Sequence, residues 1–256
     1  MNDPHTMAAA LIRAERDRTP LTPFTHTNPF LSIETAYQTQ SLVVQHRMRA
    51  GEKLVGIKLG LTSKVKRHAL GIHEPVYGRL TTGMVAPIGE PLVLAPLISP
   101  RAEPELAFQF GRSVGPDPTT ADVLNAVELV IPAIEVMDTR YAGSFRLPDS
   151  VSDNAGAARI ILGADGRSPA ELGDLSVLGC VFRHRDGIET AAGGAVMGHP
   201  AAAVVWLARA LASRGEQLEK GAIVMTGGLT ASVRLRPGET VTAEFDQLGT
   251  IGVWCI

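Results

Sequence analysis

Apolar residues recur along this chain at two periods, and the change of period divides it. Up to about residue 51 the period is helical. Met7, Leu11 and Ile12 form a stripe within Thr6 to Arg18, which Thr19-Pro20 ends. After a Pro- and Thr-rich loop, a second helix opens at Ser32-Ile33-Glu34-Thr35 and runs to about Ala50, with Gly51 as its stop. From Leu54 the texture becomes short apolar runs punctuated by Gly and Pro. Val55 to Leu59, Glu90 to Leu97, Glu105 to Phe110, Val127 to Val136 and Ala158 to Leu162 read as strands. So do Leu178 to His184, Ile223 to Thr226, Ser232 to Leu235 and Val241 to Phe245, with Asp186-Gly187 and Pro237-Gly238 as turn signals. One long helix interrupts them, Pro200 to Arg214, striped by Val204, Leu207, Ala208 and Leu211. Many strands and few helices predict an α+β fold: a helical N-terminal region over residues 1–80, appended to a β-rich core over residues 81–256.

Composition narrows the partners. With 45% hydrophobic and 20% charged residues the chain can bury a sizeable core, and a net charge of -2 gives no basic footprint for nucleic acid. Cys180 and Cys255 are too few for a disulfide framework or a zinc site and read as reduced packing residues. Met7 to Ile12 is too short and too closely flanked by charge for a secretory signal. Ala201 to Ala212 is too short to cross a bilayer and contains Arg209. These features predict a cytoplasmic protein with no membrane partner.

Three acidic residues change the picture most. Glu103 and Glu105 are two apart in a strand-like run and therefore share a face, while Glu135 interrupts the apolar run Val130 to Met137. A carboxylate there is costly unless paired or metal-bound. Three oxygens from two strands suit a hard divalent cation, Mg²⁺ or Mn²⁺; the bland alternative is two solvated edge glutamates and one buried ion pair. Lys58 stands alone among apolar residues between Gly56 and Gly60. Burial and a nearby metal would lower its pKa into the range of a proton-transfer group, whereas a snorkelling surface lysine would do nothing. Gly60-Leu61-Thr62-Ser63 offers amides and hydroxyls to an anion, Asp149 to Gly156 is a polar cluster before a strand, and Thr226-Gly227-Gly228 permits close approach to a ligand.

Taken in order, Gly56-Ile57-Lys58-Leu59-Gly60-Leu61-Thr62-Ser63, Glu103-Pro104-Glu105, Pro132-Ala133-Ile134-Glu135, Asp153-Asn154-Ala155, Gly198-His199-Pro200 and Met225-Thr226-Gly227-Gly228 resemble the hydratase/decarboxylase branch of the fumarylacetoacetate hydrolase superfamily. The resemblance runs from about Val55 to the C-terminus; Ser152 stands where the family often has alanine, and the first fifty residues match loosely. It implies a mixed β-roll core, Mg²⁺ or Mn²⁺ on Glu103, Glu105 and Glu135, Lys58 as acid/base, and a 2-oxo acid substrate. It also implies a homo-oligomer, with a pathway hydratase as a further partner, in the catabolism of aromatic ring-cleavage products.

Hydratases of this branch carry aspartate in a Pro-Asp-Phe-Gly type segment. Here the segment is Pro75-Val76-Tyr77-Gly78, which resembles the 4-oxalocrotonate decarboxylases, as do Glu135 to Tyr141 and Met225 to Ala231. The expected reaction is therefore decarboxylation of 2-oxohex-3-enedioate; hydration of 2-hydroxypenta-2,4-dienoate is the alternative. A C–C hydrolase using His73-Glu74 and a non-catalytic scaffold stand further off. Three glutamates and one dication sum to -1, so a small dicarboxylate needs further cations, for which Lys58, Arg140 and Arg146 are candidates. Leu61, Thr62, Ser63, Val76, Tyr77, Asp153, Thr226, Gly227 and Gly228 complete the expected substrate contacts.

Overall fold

The computed structural model describes residues 3–69 and 72–256. Helix α1 (Pro4–Asp17) starts where Asp3 accepts the amides of His5 and Thr6, with proline in its first turn. A short α2 (Phe24–Thr27) leads to α3 (Ile33–Arg49), which the Ser32 hydroxyl caps by accepting the Thr35 amide. These helices share a small core of Met7, Leu11, Phe24 and Val43, which also takes in Tyr141 from the rest of the chain. Two polar straps reinforce that contact. Asp149 accepts the Thr25 amide at 3.0 Å and its hydroxyl at 2.5 Å, while Leu21 exchanges backbone hydrogen bonds with Arg140 and Ala142, both at 2.8 Å.

The strands, in chain order, are β1 (Leu54–Gly60), β2 (Val76–Thr81), β3 (Arg101–Phe110), β4 (Val127–Met137), β5 (Ala157–Leu162), β6 (Gly179–His184), β7 (Gly187–Ala192), β8 (Ile223–Met225), β9 (Val233–Arg234), β10 (Thr240–Phe245) and β11 (Gly249–Trp254). A seven-stranded sheet runs β2-β1-β8-β3-β4-β5, with β9 on β3; a four-stranded sheet runs β11-β10-β6-β7. Within the large sheet β1 and β8 are parallel and the other pairs antiparallel, so it is mixed. Further helices are α4 (Lys64–Ala69), α5 (Thr120–Ala126), α6 (Leu147–Ser152), α7 (Pro169–Leu172) and α8 (Pro200–Ala212).

Strand alternation divides the large sheet into two unlike faces. One carries Leu106, Phe108, Phe110, Val130, Ile134 and Val136 against the small sheet and the Val204, Leu207 and Leu211 stripe of α8, forming the main core. This face holds the largest cluster of buried apolar side chains among the described residues. The other carries Ala107, Ile131, Ala133, Ile160 and Met225, and beside them the acidic residues.

The α+β architecture expected from the pattern is observed, with local corrections. Glu90 to Leu97 is no strand: Pro91 and Pro96 have no amide to donate, and the segment makes a single parallel bridge between Leu92 and Cys255. The amides of Leu92 and Leu94 reach the carbonyls of Trp254 and Ile256. Strands β2, β7 and β11 arise where no run was read: β7 is an edge strand with no buried residue, and Gly249 and Gly252 break up β11. Because β1 and β2 belong to the large sheet, the helical region gives way to the sheet at Leu54, upstream of the boundary expected at residue 80.

Candidate active site and metal centre

Four ionisable side chains converge on the face turned away from the main core. Glu103 lies directly opposite Glu135 in the β3–β4 register, Glu105 follows two residues along β3, and Lys58 comes from β1. All are buried, with Glu105 and Glu135 at 0% exposure and Lys58 at 1%. One oxygen from each of the three carboxylates lies within 4.8 Å of the others. The Lys58 ammonium sits 3.1 Å from Glu135 Oε1 and donates to the Ala155 carbonyl at 3.1 Å.

Backbone closes the far side. The Gly227 amide donates to Glu105 Oε2 at 2.8 Å, and a Cβ at Gly228 would overlap the Glu103 carboxylate. Gly227 itself has φ 119° and no room for a Cβ beside Thr62, so this glycine pair is demanded by close approach. Thr226 anchors the loop, its amide and hydroxyl both donating to the Leu106 carbonyl, at 3.1 and 2.8 Å.

The electrostatics are out of balance. Three carboxylates face one ammonium in a buried site. Burial pushes Glu105 up, the other two carboxylates push it further, and its pKa stands well above the usual range. Burial likewise raises Glu135, although Lys58 opposes it. Lys58 departs from expectation: burial does pull it down, but the attraction of the three carboxylates outweighs that, leaving its pKa above the ordinary value. Glu105 Oε1 and Glu135 Oε2 accept no hydrogen bond, and Glu135 Oε1 meets the ammonium as an ion pair without a well-directed hydrogen bond. Buried carboxylate oxygens without donors are expensive. The cluster fits a hard divalent cation, which would supply a partner to the unsatisfied oxygens of Glu105 and Glu135, with Glu103 as a third oxygen ligand beside them.

The cluster opens into a cavity of about 880 Å³. Of the expected residues, Lys58, Glu103, Leu61, Thr62, Ser63, Val76, Arg146, Asp153 and Gly228 line it. The loop after β1 is set by Leu61, which takes φ 56°, and by Arg67, which donates to the carbonyls of Leu61 and Thr62 at 2.6 and 2.9 Å. Val76 is 3% exposed, and a Cβ at Gly60 would lie 3.1 Å from its Cγ2. Tyr77, one residue on, points the other way: its ring stacks on Tyr37 with centroids 4.7 Å apart. Thr226 and Gly227 act from behind the cavity wall, through the contacts above.

Arg140 is also behind that wall. It donates from its amide to Asp153 Oδ2 at 3.0 Å, from Nε to Oδ1, and from Nη2 to the Asp153 carbonyl at 2.6 Å. Burial raises Asp153 to about 6, with Arg140 opposing. His73 and Glu74 line the outer wall and are exposed. Arg101 was missed: it lines the cavity, donating from Nε to Ser232 Oγ at 2.9 Å and from Nη2 to the Ser232 carbonyl. The signal lay in its spacing, since two residues before Glu103 puts it on the same strand face.

Residues 58–253 match the family described as fumarylacetoacetate (FAA) hydrolase C-terminal. The chain is 36% identical over 247 residues to the 2-keto-4-pentenoate hydratase of Paraburkholderia xenovorans (strain LB400), covering 95% of this chain and 91% of that one. It is also 36% identical over 248 residues to the 4-oxalocrotonate decarboxylase of Pseudomonas sp. (strain CF600), covering 96% and 94%. Among solved structures, the 4-oxalocrotonate decarboxylase from Pseudomonas putida G7, complexed with magnesium and adipate, superposes with a TM-score of 0.93 at 34% identity, over 98% of this chain and 96% of that one. Hydratase and decarboxylase stand at equal identity, so the choice between them falls to residues of the site.

Proposed function

The chain belongs to the fumarylacetoacetate hydrolase family, and we propose that within it this protein is a metal-dependent decarboxylase of 2-oxohex-3-enedioate (4-oxalocrotonate), releasing CO₂ and 2-hydroxypenta-2,4-dienoate in the cytoplasm. Val76 carries the assignment. It fills the position at which the branch's hydratases carry aspartate, it is buried in the cavity wall against Gly60, and its isopropyl group can neither hold a water nor move a proton.

Glu103, Glu105 and Glu135 would hold the ion, Mg²⁺ or Mn²⁺. When bound, it supplies Lewis acidity and orientation to the 2-oxo acid end of the substrate. The chain's own groups do the rest. Loss of the C6 carboxylate leaves the C5–C6 electron pair to form the C4–C5 double bond; the C3–C4 pair moves to C2–C3, and the carbonyl pair goes to the C2 oxygen. The Lys58 ammonium, fixed by Ala155 and Glu135, has a third N–H available to that oxygen, and can neutralise it or protonate it to the enol. Arg146 and Arg101, on the same cavity, supply positive charge for the second carboxylate, in place of Arg140, whose guanidinium is committed to Asp153. With apolar Val76 in the wall, the position that carries aspartate in the hydratases delivers no water to the dienolate.

The alternative is the hydratase, favoured by the equally similar Paraburkholderia relative. Purified protein with Mg²⁺ and 2-oxohex-3-enedioate should release CO₂ and 2-hydroxypenta-2,4-dienoate. Efficient conversion of the latter to 4-hydroxy-2-oxopentanoate by this chain alone would favour the hydratase instead.

A further inference from the structure

We propose that Asn154 is a positioning residue for Lys58: its side-chain amide clamps the turn whose carbonyl sets the direction of the Lys58 ammonium. The inference rests on Lys58 having the role given above, and it deepens that role.

Asn154 is 2% exposed and is not among the residues that line the cavity. Its Oδ1 accepts the Arg79 amide at 2.7 Å, and its Nδ2 donates to the Arg79 carbonyl at 2.8 Å. Both edges of one side chain are thus matched to the backbone of β2, as a neighbouring strand would be. The turn they hold is an unfavourable one. Asn154 and Ala155 both take φ 53°, and Gly156 follows at φ 73°. Asparagine tolerates this region through its short polar side chain, whereas alanine rarely enters it, so Ala155 is there because its surroundings hold it.

The placement of this turn is not arbitrary. Gly78 is the cross-strand partner of Lys58, and a Cβ at Gly78 would overlap the Asn154 carbonyl. The turn therefore lies across β2 at the position facing Lys58, and there the Ala155 carbonyl accepts from Nζ at 3.1 Å. Without that acceptor, the ammonium would be drawn toward the carboxylates alone, because they are the remaining strong partners in a site of low dielectric. With it, the ammonium is held between the Ala155 carbonyl and the Glu135 carboxylate, on the wall of the cavity that Lys58 lines. The partners of the Asn154 side chain are the amide and carbonyl of Arg79, and its link to the site runs through the Ala155 carbonyl to the ammonium.

Three substitutions at one position separate the possibilities. Asn154→Gly accepts the left-handed conformation but loses both bonds to Arg79. Asn154→Asp tolerates it and keeps the acceptor for the Arg79 amide. Asn154→Ala loses both properties. Gly78→Ala perturbs the same turn from the other side, leaving Asn154 intact. The full-length variants would be assayed for kcat and KM on 2-oxohex-3-enedioate at saturating Mg²⁺, with Mg²⁺ affinity measured by calorimetry and folding checked by circular dichroism. Misplacement of a catalytic group by about 1 Å costs about 10²-fold, so kcat of Asn154→Gly and Gly78→Ala should fall by about that factor. KM and Mg²⁺ affinity should stay at wild-type values, and Asn154→Asp should recover part of the loss. Wild-type kcat in Asn154→Gly would overturn the proposal. So would loss of Mg²⁺ affinity in parallel with kcat, which marks a merely structural role. Lys58→Ala is measured alongside: full activity there would sink the role of Lys58 itself, whereas an inactive Lys58→Ala beside a fully active Asn154→Gly would sink only the clamp.

Discussion

Replacing Glu135 by glutamine separates a metal cage from a structural ion pair, because the two readings predict stability changes of opposite sign. In a chelator the wild-type site holds three buried carboxylates whose oxygens lie within 4.8 Å of one another, with one ammonium 3.1 Å from Glu135. At an effective dielectric of about 20, each pair of carboxylates repels by about 3.5 kcal/mol and the ammonium attracts Glu135 by about 5 kcal/mol. At a pH high enough to ionise Glu105 as well, two repulsions therefore exceed one attraction for Glu135 by about 2 kcal/mol, and the cost of burying its charge adds with the same sign; at lower pH, where Glu105 is protonated, that Coulombic excess disappears. Glu135→Gln should then be neutral to stabilising without metal, raising Tm by up to about 4–8 °C at roughly 2–4 °C per kcal/mol for a chain of this size. Added Mg²⁺ at about a hundredfold excess over Kd stabilises the wild type by about 2.7 kcal/mol, and should leave the variant nearly unmoved. Thermal denaturation with EDTA and with Mg²⁺ shows the reversal directly. If Glu135 served only to pair Lys58, its loss would strand a buried ammonium and cost about 3–5 kcal/mol with or without metal. A variant destabilised in EDTA that keeps its Mg²⁺ shift would refute the cage.

Other substitutions test other parts of the site. Lys58→Ala should lower kcat by about 10²-fold or more while Mg²⁺ still binds, as stopped-flow turnover and calorimetry together would show. Gly228→Ala should abolish the Mg²⁺-induced rise in Tm with secondary structure retained, because its Cβ displaces the Glu103 carboxylate; an unchanged shift would remove Glu103 from the cage. Val76→Asp should slow decarboxylation and let 4-hydroxy-2-oxopentanoate appear among the products by chromatography; a product mixture unchanged from wild type would deprive Val76 of its part in the choice of reaction.

The chemistry of this site was legible to the extent that it depends on short sequence spacing. Glu103 and Glu105 share a face because strands alternate, and Glu135 announced itself by interrupting an apolar run. The same rule, applied one step further, would have found Arg101, and would have turned Tyr77 away from the cavity once Val76 faced it. What could not be read locally is what depends on distant partners. Arg140 and Arg146 look alike in the sequence, and only the return of Asp153 to Arg140 commits one of them to the protein itself. The pKa of Lys58 had the same blind spot: burial is visible in the neighbours of one residue, but the three carboxylates that overrule it arrive from two other strands. Glu90 to Leu97 failed for the opposite reason, since its apolar content resembled a strand while two prolines withheld the donors a ladder needs.

The two straps from the N-terminal helices change what it means to call that region an appendage. Thr25 is fastened to Asp149 and Leu21 to Arg140 and Ala142, and the segment so fastened runs on through Arg146 and Ser150 to Asp153, all of which face the cavity. Opening the helices therefore releases one wall of the chamber. In hydrogen exchange the amides of Leu21, Thr25 and Ala142 should open as a single cooperative unit. A chain trimmed past Thr25 would lose both straps and, with them, the rigidity of the cavity wall that carries Arg146.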